Sequence, residues 1–288
     1  MDLFDGYTQI LSMSNPPIEA LGPPSVAREM AQLANECMAE LVVKYPNRFP
    51  GFIAALPMND PEASLQEAER AVKEQGAVGV QVFSNVLGQP LDKPEILPLF
   101  DLMAKLDLPV WIHPIRGADF PDYKTEPKSH YEIWFIFGWP YETSVAMAHL
   151  VFSGLFDRHP DIKIITHHFG GMIPYFEGRV GPGWDLLGGR TSDVDYSVLL
   201  KKLRKRPLEY FRSFYADTAL FGAREATICG LKFFGTQRTL FGTDAPFGPE
   251  KGPAYIRWTI EVIDSLDITS AQRREIYEGN ARRLMKLS

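Results

Sequence analysis

The chain has 288 residues, of which 45% are hydrophobic and 23% charged, a mixture typical of a folded protein with a sizeable core. A net charge of −6 without a basic run argues against a nucleic-acid partner. The N-terminus is not that of a signal peptide, and no stretch approaches the roughly 20 apolar residues of a membrane span. Cys37 and Cys229 suit neither a disulfide framework nor a thiolate metal site, so we expect a cytoplasmic protein.

Short runs rich in valine, isoleucine and aromatic residues alternate with helical segments, a pattern that indicates parallel βα units. Seven strands are predicted, over residues 7–13, 49–56, 77–84, 108–114, 162–168, 214–220 and 239–246. Helices are predicted over residues 25–44, 62–74, 94–106, 142–156, 255–266 and 270–287. Before the second helix, Asp60 is a predicted N-cap, with Pro61 at the first helical position.

The strand count is one short of a closed parallel barrel, which has eight strands. The first residues resemble the last turn of a helix that Gly6 ends, and the chain then enters its first visible strand. We therefore predict one α/β domain over residues 1–288, a TIM-like (β/α)8 barrel from which the first βα unit is missing. The strands at 7–13 and 239–246 would then lack their shared neighbour, leaving a gap that is open or covered by a subunit.

Three predicted strands run from apolar residues into a polar side chain and then a breaker, and these side chains are His113, His168 and Asp244. Catalytic groups of such barrels lie at the carboxyl ends of strands. Imidazole and carboxylate are also ligands that suit Zn²⁺ and related ions. Singly, each residue has a structural explanation, since a strand-end histidine can serve as a hydrogen-bonding residue and Asp244 can cap a turn. Together they predict an active-site mouth.

Two nearby features leave alternatives open. Adjacent strand residues face opposite ways, so only one of His167 and His168 is expected to point into the barrel, and periodicity does not choose between them. Gly170 and Gly171 permit close approach of the backbone to a ligand, or simply a tight turn.

The long aromatic segment 116–139 is predicted to cover the mouth, with a subunit contact as the alternative.

Motifs in a fixed order extend over nearly the whole chain, and they are Tyr45-Pro46-Asn47-Arg48-Phe49, Trp111-Ile112-His113-Pro114, Pro140-Tyr141-Glu142-Thr143-Ser144, His168-Phe169-Gly170-Gly171, Gly178-Arg179, Gly242-Thr243-Asp244 and Gly279-Asn280-Ala281-Arg282-Arg283-Leu284. In this order they resemble the amidohydrolase-related family, within it the branch of aminocarboxymuconate-semialdehyde decarboxylase and the dihydroxybenzoate decarboxylases. The resemblance implies that His113 and Asp244 bind a metal ion, Zn²⁺ or another divalent ion such as Mn²⁺. It further implies that His168 rather than His167 is catalytic and that Asp244 shares in proton transfer. It also implies that Arg179 contacts a substrate carboxylate. For the oligomeric state, the resemblance implies a homodimer.

The sequence departs from the family pattern at its start. The family's first strand carries a His-X-His or Glu-X-His pair that supplies two metal ligands, and this sequence contains no such pair. We interpret this as a start placed too far downstream or a fragment, because the other mouth residues are intact. An evolved noncatalytic relative is the alternative. With half the expected ligands absent, the protein in this form should hold its metal weakly or not at all.

The resemblance favours nonoxidative decarboxylation of a hydroxylated aromatic or unsaturated carboxylic acid. Metal-dependent hydrolysis of a lactone, amide or ester is the alternative, because a metal ion beside His168 and Asp244 would serve it equally well. A third interpretation is a binding or assembly protein that keeps the pocket without the metal.

Overall fold

A parallel sheet lies at the centre of the computed structural model, which describes residues 1–191 and 193–287. The strands are β1 (Ile10–Leu11), β2 (Gly51–Phe52), β3 (Ala54–Ala55), β4 (Val80–Phe83), β5 (Asn85–Val86), β6 (Gln89–Pro90), β7 (Val110–His113), β8 (Ile164–Thr166), β9 (Tyr215–Asp217) and β10 (Thr239–Leu240). The order β10-β9-β8-β7-β4-β3 forms one sheet in which every pairing is parallel. Strands β1 and β2 pair in parallel as a separate two-stranded sheet, and β5 and β6 form a small antiparallel hairpin.

Each of the seven predicted strand segments contains an observed strand, so the predicted α/β class with parallel strands is confirmed. The observed strands are shorter than predicted. Residues within each segment pair with a neighbouring strand, whereas the residues at its carboxyl end lie beyond the sheet. The segment 162–168 shows this, because pairing ends at Thr166 and both histidines lie beyond it.

Helices cover the sheet, and their bounds are α1 (Pro24–Lys44), α2 (Pro61–Gln75), α3 (Leu97–Leu106), α4 (Trp139–Phe152), α5 (Leu155–Arg158), α6 (Glu177–Asp185), α7 (Ser197–Lys202), α8 (Pro207–Phe211), α9 (Arg224–Phe234), α10 (Pro253–Asp264), α11 (Ser270–Arg274) and α12 (Asn280–Met285). The N-cap prediction is confirmed, since the Asp60 side chain accepts a hydrogen bond from the backbone N of Ala63 at 3.0 Å.

Several helix predictions need correction. The third helix begins at Leu97 rather than at 94. The fourth ends at Phe152, because Gly154 adopts a left-handed conformation that separates α4 from α5. Helices α6 to α9 were not predicted. One reason is visible in α6, whose nine residues include three glycines and a proline, residues of low helix propensity.

The core lies between the sheet and these helices. All residues of β4, β7 and β8 are buried, as expected for parallel strands covered on both sides. The largest fully buried side chains in the core include Phe100, Met147, Phe211 and Phe214. No helix within the described residues is long and apolar enough to cross a membrane. Cys37 and Cys229 are both free thiols.

The barrel wall is open between β1 and β10. Within residues 1–191 and 193–287, no backbone pairing joins these two strands. Side chains approach each other across the opening, where the Tyr7 hydroxyl lies 3.5 Å from the Thr243 hydroxyl and the Tyr7 ring lies 6.3 Å from that of Phe241. This is the position at which the sequence predicted a gap.

A buried carboxyl group lies beside the sheet. Glu19 is only 3% exposed, and its Oε1 atom is buried without a hydrogen-bond partner. It lines a small cavity together with Met13, Gln81 and Phe83. Burial raises the pKa of Glu19 to about 7, although a hydrogen bond from its own backbone acts in the opposite direction.

The raised pKa makes stability depend on pH. Glu19 holds its proton more tightly in the folded chain than in the unfolded chain, so its contribution is fully present below the unfolded pKa and is lost as pH rises through the folded pKa. We expect the wild type to lose about 2 kcal/mol more unfolding free energy than Glu19→Gln between about pH 5.5 and about pH 8.5. Urea unfolding at both pH values measures this. A Glu29→Gln variant of an exposed residue is the control, and a Glu19→Gln profile parallel to wild type would contradict the prediction.

Candidate active site

The structure brings three of the sequence-predicted residues together. One ligand atom from each of His113, His168 and Asp244 lies within 4.8 Å of the other two. His113 is the last residue of β7, His168 follows β8, and Asp244 follows β10. Parallel strands place their carboxyl ends on one side of the sheet, and this explains how residues so distant in sequence meet there.

Backbone oxygens fix the orientation of two of the imidazole rings. His113 Nδ1 lies 2.7 Å from the carbonyl oxygen of Pro114, and His168 Nδ1 lies 2.8 Å from that of Ala219. A carbonyl oxygen can only accept a hydrogen bond, so each Nδ1 carries the proton in the neutral ring. The lone pair of each ring is then on Nε2, the arrangement in which histidine binds a metal ion.

Both histidines after β8 reach this site, so the expectation that only one could point inward is wrong. The ring centroid of His113 lies 4.9 Å from that of His167 and 6.1 Å from that of His168. The alternation of side chains along a strand does not apply to His167 and His168, because regular strand pairing ends at Thr166. The backbone then turns, with φ of 54° at His168 and 50° at Phe169, and both rings turn to the same side.

The two glycines that follow are required by packing within the protein. Gly171 has φ 62° and ψ −119°, and a Cβ atom there would lie 2.3 Å from the carbonyl oxygen of Pro140. At Gly170, a Cβ atom would lie 2.8 Å from the ring of Phe234. The close approach is therefore to helices α4 and α9, and it fixes the turn that carries His168.

Asp217, the last residue of β9, belongs to the site but was not predicted from the sequence. Its Oδ2 lies 2.9 Å from His167 Nδ1, and its Oδ1 accepts hydrogen bonds from the backbone N atoms of His168 and Ala219 at 2.9 and 3.0 Å. The signal was available, because Tyr215-Ala216-Asp217 is a further strand that ends in a polar residue.

The electrostatics of the cluster favour a neutral His113 and an ionised Asp217, and they disfavour an ionised Asp244. Burial holds the pKa of His113 well below its usual range, and the neighbouring His167 and His168 lower it further. Burial acts to raise the pKa of Asp217, but the charge of His167 and the hydrogen bond with it outweigh burial, so the pKa is lowered. Burial raises the pKa of Asp244, against the attraction of His168 and His167. Because burial disfavours the Asp244 carboxylate, a bound cation would stabilise its charged form.

Aromatic rings surround the cluster. Phe83 and Trp139 each contact His113 edge to face, with ring centroids at 5.4 Å. The Phe221 ring lies 5.6 Å from that of His168. Flat apolar walls of this kind suit a planar substrate.

The long segment before α4 covers the site only in part. Phe135 packs on Trp139 with ring centroids at 4.9 Å, and the Trp139 indole N donates to the carbonyl oxygen of Arg116 at 3.2 Å. Tyr131, by contrast, is 91% exposed. The end of the segment therefore lies over His113 through Trp139, while its middle faces outward.

Arg179 lines a different part of the surface from the residues of this cluster. It is exposed on α6 and lines a groove with Phe176, Trp184 and Arg190. The residues that line this groove do not include His113, His168 or Asp244.

The chain is similar to a known family and to enzymes of known activity. The Amidohydrolase family model matches residues 12–287. Gamma-resorcylate decarboxylase of Polaromonas is 34% identical over 295 residues, which span 100% of this chain and 86% of the relative. The 2-amino-3-carboxymuconate-6-semialdehyde decarboxylase of Dictyostelium discoideum is 33% identical over 78% of this chain and 58% of its own length.

Two solved structures are similar throughout. The 2,6-dihydroxybenzoate decarboxylase complexed with 2,6-dihydroxybenzoate has a TM-score of 0.81 at 30% identity, over 97% of this chain and 83% of that one. The dihydroxybenzoic acid decarboxylase of Polaromonas, with bound manganese and the inhibitor 2-nitroresorcinol, has a TM-score of 0.82 at 30% identity, over 99% and 83%. These matches confirm the resemblance inferred from the motifs, and the chain belongs to the amidohydrolase family, among relatives that are decarboxylases of hydroxylated aromatic acids.

Proposed function

We propose that the protein is a metal-dependent nonoxidative decarboxylase of a hydroxylated aromatic or unsaturated carboxylic acid. The convergence of His113, His168 and Asp244 at the strand ends carries the proposal, in a chain whose relatives are decarboxylases. A hydroxylated benzoate is the favoured substrate, because one similar structure holds 2,6-dihydroxybenzoate and the site has aromatic walls.

His113 and Asp244 are the proposed metal ligands. The neutral His113 imidazole with its free Nε2 and the adjacent carboxylate fit a divalent cation. Mn²⁺ is favoured over Zn²⁺, since three similar decarboxylase structures contain manganese. When bound, the ion would orient the acid through its oxygen atoms and withdraw electron density from them.

The side chains of the site account for the proton transfer. In decarboxylation, a proton adds to the ring carbon that carries the carboxylate, the bond to the carboxyl carbon breaks, and its electron pair restores the aromatic ring as CO₂ leaves. Asp244, beside His168, is proposed to relay this proton toward carbon, taking it up before delivering it. His168, with Nδ1 bound to the Ala219 carbonyl, presents Nε2 for proton exchange with the substrate hydroxyl.

Two further assignments extend the proposal to the substrate carboxylate and to the oligomer. Arg179, exposed on α6, is proposed as a carboxylate partner, and Arg179→Gln would then raise KM more than it lowers kcat.

The protein is proposed to be a cytoplasmic homodimer. Exposed aromatic side chains support the dimer, among them Phe137 (68% exposed) and Tyr175 (80% exposed). Light scattering coupled to size-exclusion chromatography tests the oligomeric state.

A substrate comparison tests the reaction. Purified protein is loaded with Mn²⁺ and, separately, with Zn²⁺, and is offered 2,6-dihydroxybenzoate, 5-carboxyvanillate, a simple aromatic lactone and an aryl ester. We expect CO₂ release with the corresponding phenol as product from at least one of the acids, and no acid product from the lactone or ester. Ester or lactone hydrolysis without CO₂ release would support the hydrolase alternative. Turnover of none of these compounds, together with the absence of metal binding, would support a noncatalytic protein.

A further inference from the structure

His167 has a buried nitrogen atom without a partner beside the proposed metal ligands. Its Nδ1 is paired with Asp217, but its Nε2 is buried and has no hydrogen-bond partner among the described residues. An orphaned polar atom in a protein interior is costly, and it usually marks a missing partner such as water or an ion.

Asp217 holds this ring in a defined orientation. The carboxylate is itself fixed by the backbone N atoms of His168 and Ala219, and its second oxygen then accepts the Nδ1 proton of His167. Carboxylates placed behind a histidine in this way fix its tautomer and raise the basicity of the opposite nitrogen. The Nε2 lone pair of His167 is therefore available, as are those of His113 and His168.

The position of the His167 ring and the carboxyl groups at the site agree with a bound cation. Two imidazoles that bind one ion at about 2 Å have ring centroids roughly 5 Å apart, and the His113 and His167 centroids are 4.9 Å apart. Two carboxyl groups lie at the site. Asp217 pairs with His167 Nδ1 at 2.9 Å, and a carboxyl oxygen of Asp244 lies within 4.8 Å of a ligand atom of His113 and of His168. Carboxyl groups beside imidazoles are a donor set that suits a divalent ion.

Two other His–Asp pairs among residues 1–191 and 193–287 lack a buried, unpartnered ring nitrogen. His149 pairs with Asp92 at 3.0 Å, and His159 pairs with Asp101 at 2.7 Å. Both are partly exposed, so water can reach the rest of each ring. A purely structural ion pair therefore explains those two histidines but leaves the Nε2 of His167 unexplained.

We propose that His167 is a further imidazole ligand of the divalent metal ion, oriented by Asp217. The proposal rests on the metal site of the proposed function. It assigns to His167 a binding role in addition to the proton-transfer role proposed for His168.

Metal affinity tests the assignment without using activity. Dissociation constants for Zn²⁺ and Co²⁺ are measured by competition with a chromophoric chelator for the wild type, His167→Gln, Asp217→Asn and the control His149→Gln. We expect affinity to fall about 10-fold to 100-fold in both site variants and to stay at the wild-type value in the control. The visible absorption of the Co²⁺-loaded protein should also change in His167→Gln, since it reports the ligands of the ion.

A second measurement separates metal binding from folding. Asparagine at 217 can still accept from the two backbone N atoms, but its amide N would donate to His167 Nδ1 and move the ring proton to Nε2. Nitrogen-15 NMR of the metal-free protein should show this change of tautomer while the thermal melting profile stays cooperative. If the wild type binds metal and His167→Gln binds it equally well with an unchanged Co²⁺ spectrum, the inference is wrong and the metal site stands. If the wild type binds no divalent ion, the metal site is wrong and the inference falls with it.

Discussion

Asp244→Asn is expected to lower kcat for decarboxylation by about 10³-fold, because the side chain is proposed both to bind the metal ion and to deliver the proton to carbon. Asparagine keeps the size of the side chain, but it can neither carry the negative charge that binds the ion nor take up the proton that is delivered. Asp244 is partly buried within 4.8 Å of the ligand atoms of His113 and His168, so neither role can pass readily to solvent. Steady-state CO₂ release and metal content by elemental analysis are the measurements.

His168→Gln provides the comparison within the site. We expect kcat to fall by about 10²-fold or more with metal content retained, because His168 is proposed to exchange protons rather than to hold the ion. Asp92→Asn, which changes a carboxylate paired with a partly exposed histidine, is the control and should keep wild-type kcat. Asp244→Asn with wild-type turnover would refute the site assignment, and loss of metal from His168→Gln would make His168 a ligand.

Gly171→Ala is expected to destabilise the fold by about 3 kcal/mol or more. The backbone at Gly171 has a positive φ that residues with a side chain rarely adopt, and the new Cβ atom would lie 2.3 Å from the carbonyl oxygen of Pro140. The atom that it meets belongs to the backbone of α4, so a change of rotamer cannot relieve the clash. Urea unfolding followed by circular dichroism measures the loss.

Gly178→Ala is the matched control for this substitution. Gly178 lies in α6, and no heavy atom lies within 4 Å of a Cβ atom placed there. Alanine favours helix over glycine by about 1 kcal/mol, so the control should keep or gain stability. Equal stability of Gly171→Ala and wild type would show that the turn after β8 can relax, and the packing explanation of the Gly-Gly pair would then be wrong.

The sequence by itself determined the architecture and much of the candidate site. Periodic apolar runs located the strands that pair in parallel, though not the hairpin of β5 and β6. The pair Asp60-Pro61 located the start of α2, because helix starts depend on local backbone preferences. Residues that end apolar strands were recognisable in the same way, and His113, His168 and Asp244 do meet. Parallel strands oblige their carboxyl ends to lie together, so order along the chain was sufficient for that inference.

Only the tertiary structure decided what depends on contacts between distant segments. Alternation along a strand offered one inward position for His167 and His168, but the left-handed turn after Thr166 brings both rings to the site. The end of a strand at Asp217 is visible in the sequence, but its hydrogen bond from the backbone N of His168 in another loop is not. The close approach at Gly171 depends in the same way on α4. Such features arise from packing between segments, whereas local sequence patterns report only the preferences of each segment.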